Sequence, residues 1–151
     1  MAKFVMETEH FKEKILKARS VKIEKMIACC DEAYEFAQKA DNRELLGFLF
    51  FYKGEAYYVR NQIKSMFECM TKAIPYLSET RQWGLLSRAY NIMAITSFNR
   101  GNAPIAMDYY LTGLNYCKKY QLELVEMIIN FNIGNLYMNC GQYKEAQTYI
   151  V

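Results

Sequence analysis

Apolar, small and turn-forming positions recur along this chain with a period of 40 residues: Gly54, Ala94 and Gly134 stand that far apart, each inside an apolar and aromatic stretch. Seven residues after each come Asn61, Gly101 and Gly141, types that readily take the left-handed conformation ending a helix. Twelve residues after each mark stand Met66, Ala106 and Ala146, and sixteen after it Met70, Tyr110 and Ile150; Ala73 and Gly113 follow at nineteen. Spacings of four and three keep these columns on one face of a second helix, which is therefore amphipathic. Each block predicts a helix, a turn and a second helix. A period of this size argues for stacked units that bury their apolar faces against their neighbours.

Carried back by 40 residues, the second-helix columns fall on Met26, Cys30 and Ala33, although Lys14 replaces the small mark. The first unit, 1–40, is therefore a degenerate one, with a first helix over 8–18 whose apolar side is Phe11, Ile15, Leu16 and Ala18. Ser20 and Val21 occupy its turn. Units at about 43–80, 83–120 and 123–151 complete a single domain, the last stopping within its second helix. That open face, with Tyr149 and Ile150, leads us to expect the N-terminal piece of a longer protein. Pro104 suits the first turn of a helix, whereas Pro75 is expected to end or kink one.

The order Ile133, Gly134, Tyr137, Gly141, Tyr143 and Ala146 resembles the tetratricopeptide repeat. Met93, Ala94, Gly101, Ala106 and Tyr110 repeat the match, while Lys53, Asn61 and Met66 depart from it in the preceding unit. The period exceeds the usual 34 or so residues, so helices longer by most of a turn each are expected. The resemblance implies an all-α fold: a right-handed superhelical array of antiparallel helix hairpins, or α-solenoid, whose first helices line a concave groove. Groove positions would be Phe48, Phe51, Glu55, Tyr58 and Val59, then Arg88, Asn91, Ile95, Phe98 and Asn99, then Ile128, Phe131, Asn135, Met138 and Asn139.

Asparagine competes with the helical backbone for hydrogen bonds, so Asn91, Asn99, Asn135 and Asn139 at such positions invite a functional explanation. Their amides could pair with an extended peptide, Phe51, Tyr58, Phe98 and Phe131 could supply pockets, and Arg88 could hold a carboxylate; Glu55 is the groove acid. For Asn99 and Asn139, near helix ends, a capping role competes with this one. Arrays with lengthened repeats also resemble the N-terminal regulatory halves of bacterial signalling proteins, including cyclic-dinucleotide synthases, and the receptors of short signalling peptides. The expected function is recognition of a peptide or protein segment. A scaffold, or a homodimer through the uncapped C-terminal end, is the alternative.

The rest of the composition narrows this choice. A chain of 151 residues that is 52% hydrophobic with two prolines can build a continuous helical core. Its net charge of +3 gives no reason to expect nucleic acid, and the cations Lys12, Lys14, Lys17, Arg19, Lys22 and Lys25 are interleaved with Glu7, Glu9, Glu13 and Glu24. The five cysteines show no Cys-x-x-Cys spacing, which argues against zinc or a disulfide framework and for small buried side chains. With His10 the single histidine and no phosphate loop or nucleophile motif, no catalytic residue, metal or cofactor is expected. No apolar run suits a membrane span or export signal, so a cytoplasmic protein is expected.

Overall fold

A computed structural model describes residues 2–150, Tyr143 by its backbone alone, and all the elements among them are helices. They are α1 (Ala2–Arg19), α2 (Ile23–Lys39), α3 (Arg43–Val59), α4 (Ile63–Glu79), α5 (Trp83–Asn99), α6 (Ala103–Tyr120), α7 (Glu123–Asn139) and α8 (Tyr143–Ile150). From α2 onward a helix begins every 20 residues, so the period of 40 contains two helices of nearly equal length. Seventeen residues make a rod about 25 Å long.

One turn design produces this regularity. Asp41, Asn61, Arg81, Gly101, Gln121 and Gly141 all have positive φ, between 48° and 86°. After each of them, the N–H of Asn42, Gln62, Gln82, Asn102, Leu122 or Gln142 donates to the carbonyl five residues back, every time at 2.9 Å. This six-to-one bond closes a Schellman motif, which satisfies the last carbonyls and reverses the chain. The same residue then starts the next helix; Asn42 and Asn102 also accept from the N–H of Leu45 and Ile105, at 3.1 and 3.2 Å. Val21 occupies the corresponding place in the first turn and has no positive φ, as expected of a β-branched residue. There Lys22 N–H bonds Ala18 four residues back instead.

Consecutive helices pack against each other within two compact units, Met1–Gln82 and Trp83–Val151. In the first, α3 lies antiparallel to α4: a side chain at Gly47 would meet Tyr76 and Leu77, and one at Gly54 would meet Cys69 and Met70. Leu45, Leu49, Phe51, Met66, Met70 and Leu77 are wholly enclosed. Buried Asn42 donates to Thr8 Oγ1 at 2.7 Å, tying the start of α3 to α1. In the second unit Ala94, Ala106, Tyr110, Leu114, Cys117, Ile129, Ile133 and Leu136 form the core. Gly113 lets α6 approach Ser87 and Tyr90 of α5 and Ile129 of α7.

The expected second-helix columns are buried at Met26, Met66, Ala106 and Ala146, at Cys30, Met70 and Tyr110, and at Ala33, Ala73 and Gly113. Some expectations need correction. Leu16 is 43% exposed because it faces away from Ile15 and Ala18. Pro75 does not end α4, which continues to Glu79, although the proline removes one helix donor. Of the tyrosines, Tyr110 lies in the core, whereas Tyr57, Tyr90 and Tyr137 are only partly buried. The side chain of Tyr143 and residue Val151 lie outside the described residues.

Candidate protein-binding face

The expected groove residues of the first unit are largely consumed by its own packing. Phe51 is fully buried and cannot offer a pocket to a ligand: α3 is apolar on several sides, and its partners close over it. Glu55 receives two bonds from Arg19, at 2.6 and 3.2 Å, and the same guanidinium lies 5.7 Å from the Tyr52 ring. Hydrogen bonding to Glu55 raises the Arg19 pKa, against a smaller opposing effect of burial. Tyr58 is half-buried. The basic first helix is engaged similarly, through Lys12 with Glu44 at 3.3 Å and Lys14 with Glu32 at 2.7 Å.

Two clefts, of about 500 and 340 Å³, adjoin Phe50 between α2 and α4. Phe50 stacks with Tyr76 at 6.5 Å and meets Tyr34 edge-on at 5.7 Å; Lys72 lies 5.6 Å from its ring. The neighbouring cations are paired, Arg43 with Glu79 at 2.7 Å and Lys53 with Asp31 at 2.6 Å. The same columns of the second unit, Tyr90 and Tyr116, stack at 6.2 Å, with Trp83 at 5.7 Å from Tyr116 and 4.2 Å from Tyr120. An aromatic contact repeated at the same register belongs to the hairpin's own packing.

The second unit is different, because α7 is apolar on two faces. Ile129, Ile133 and Leu136 enter the core. On another face Leu124, Met127, Ile128, Phe131 and Met138 are exposed by 70, 66, 45, 56 and 45%. Their spacings of three, four and seven place them on one stripe of the helix. Beside it, between α7 and α8, lies a cleft of about 460 Å³ bounded by Glu123, Glu126, Met127, Asn130, Phe131, Tyr149 and Ile150. Tyr137 stacks on Tyr149 at 5.7 Å, and burial, then Tyr149 and Glu145, push its phenol pKa up.

The expected amides have separate fates. Asn91 is held by Asn132, whose Nδ2 donates to its Oδ1 at 2.9 Å, so this pair links α5 to α7. Asn139 Nδ2 donates to the Asn135 carbonyl at 2.8 Å, the local capping role. Asn99 is exposed, Asn135 and Arg88 are half-buried, and Phe98 packs against the core. Leu124, Met127 and Asn132 escaped the sequence reading. For the two apolar residues the signal was the run at 124, 127, 128 and 131, superposed on the core run at 125, 129, 133 and 136.

Among the described residues no cluster of three or more His, Cys, Asp or Glu could hold a metal ion, and no helix is long and apolar enough to cross a membrane. Comparison with protein-family models, with curated proteins and with solved structures finds no significant match to this chain.

Proposed function

We propose that this chain is a protein-binding module that takes an apolar segment of a partner along α7. The exposed stripe on that helix carries the reading, since large apolar side chains clustered on one face mark interaction surfaces. Phe131 and the two methionines provide a large, adaptable contact, and Glu123 and Glu126 at the adjoining cleft favour a partner with basic flanks. Asn135 sits within the stripe and can fix orientation by hydrogen bonding. The mechanism is binding without bond-making. The 40-residue period and the shared turns support a tetratricopeptide-like α-solenoid as the finer description of the fold, with a cytoplasmic, regulatory role in a larger signalling protein as the role the resemblance implies.

A labelled helical peptide with leucine and phenylalanine on one face and lysine flanks tests this by fluorescence anisotropy. Saturable binding that Phe131→Glu weakens at least about tenfold, with thermal unfolding unchanged, is expected, because central aromatic anchors dominate such interfaces. Equal affinity of the two proteins would overturn the assignment.

A further inference from the structure

We infer that the α7 stripe is self-complementary and joins two copies of this chain through an antiparallel α7 pair. This rests on reading α7 as the binding face, and takes a second α7, rather than a segment with basic flanks, as its occupant. In an antiparallel pair centred on Phe131, each residue faces the one equally distant on the other side. Phe131 then meets its own counterpart, Leu124 meets Met138, and Met127 meets Asn135. All the large side chains in these pairs are exposed on one protomer. The stripe itself carries no charged residue, so two copies bring no like charges together along it. At the ends Glu123 falls opposite Asn139, whose amide has a second N–H to donate across the pair. Antiparallel helix dipoles oppose each other favourably.

The size is sufficient. With roughly 150–250 Å² for a large side chain, the exposed fractions of the stripe amount to about 500 Å² per copy. Two copies would bury about 1,000 Å², the area at which specific interfaces begin. The cleft between α7 and α8 borders Phe131 and gives the partner's phenylalanine space to turn into. A two-fold contact of this kind is isologous and closes at a dimer, without propagating into a filament.

Sedimentation velocity over a concentration series, on the chain and on Leu124→Glu, Met138→Lys and their combination, tests both the dimer and its register. The unaltered chain should form a concentration-dependent dimer. Each single substitution should weaken it at least about tenfold by placing a charge against an apolar side chain. The combined variant sets opposite charges across both ends of the antiparallel pair and should recover most of the affinity. These positions are exposed, so helical circular dichroism should be retained in every variant. A chain that stays monomeric, a dimer indifferent to the single changes, or a combined variant no better than either single one would overturn the inference. A monomer that still binds the lysine-flanked peptide in a Phe131-dependent way would assign the face to a foreign helix, leaving the proposed function standing while the dimer falls.

Discussion

Arg81 and Gln121 are replaceable by glycine with a gain in stability, because both hold a backbone conformation that a side chain disfavours. Their φ values are 60° and 57°, beside 86° and 76° at Gly101 and Gly141 in the equivalent turns. The left-handed region costs a residue with a Cβ roughly 1–2 kcal/mol. Glycine recovers that amount but loses roughly 0.5–1 kcal/mol through the greater freedom of the unfolded chain. Both side chains are exposed. The net gain is therefore about 0.5–1 kcal/mol for each of Arg81→Gly and Gln121→Gly. The two residues share no partner, so the double variant should add the two gains. In a chain of this length, such a gain raises the melting temperature by roughly 2–4 °C per kcal/mol. Thermal unfolding followed by circular dichroism reads the effect. Gly101→Ala should move the other way by a similar amount, as an internal control. Loss of stability in both glycine variants would refute the turn geometry, since it would mean that the two sites are ordinary backbone in which glycine is merely too flexible.

The helical glycines should divide by what surrounds them. A Cβ at Gly47 would lie 3.1 Å from the Leu77 backbone nitrogen, and one at Gly113 3.3 Å from the Ser87 carbonyl oxygen, whereas nothing lies near Gly84. Gly84→Ala should stabilise by up to about 1 kcal/mol through helix propensity. At Gly47 and Gly113 overpacking of roughly 1–3 kcal/mol should outweigh the same gain and lower the urea midpoint. Burial raises the thiol pKa of Cys30, Cys69 and Cys117, so stability held below the unfolded thiol value should decline as pH climbs past roughly 8.5. The sign follows because the unfolded state releases these protons first. Cys30→Ala should flatten that decline between about pH 8.5 and 9.5, below the ordinary tyrosine and lysine range, by up to 1.36 kcal/mol per pH unit. An unchanged slope in urea titrations at several pH values would refute the assignment.

The period, the helical content and the second-helix columns were legible because they repeat, and repetition reveals the few sites where size is constrained. Ala33, Ala73 and Gly113 could be placed without knowledge of any contact. The unit bounds placed the turns at 41, 81 and 121 as well, but their backbone conformation was not legible. Arg81 and Gln121 occupy the same left-handed turns as Asn61, Gly101 and Gly141, but their residue types do not announce the conformation. The six-to-one backbone bond holds them there, and it is indifferent to the side chain. Asn91 shows the opposite case: a polar residue in a helix suggested a ligand, and its partner proved to be Asn132, 41 residues further on.

Register fixes which way a side chain points but not what covers it, and the column containing Phe51, Asn91 and Phe131 separates the two. These residues stand 40 apart on three successive first helices. Phe51 is fully buried, Asn91 is bonded to a neighbouring amide, and Phe131 is 56% exposed. The two phenylalanines have the same type and the same place in the repeat, yet only one is available to a partner. The columns beside it behave alike: Phe48 lies buried beneath Lys12, 5.3 Å from its ring, while its counterpart Ile128 is 45% exposed. Glu55 is held by Arg19, whereas its counterpart Asn135 donates no side-chain bond across to another helix. Within the first unit, then, α1 supplies the cover over Phe48 and Glu55. The apolar character of α7 in the same columns is what a helix needs when its cover is another helix, and this makes α7 the place to look for a partner.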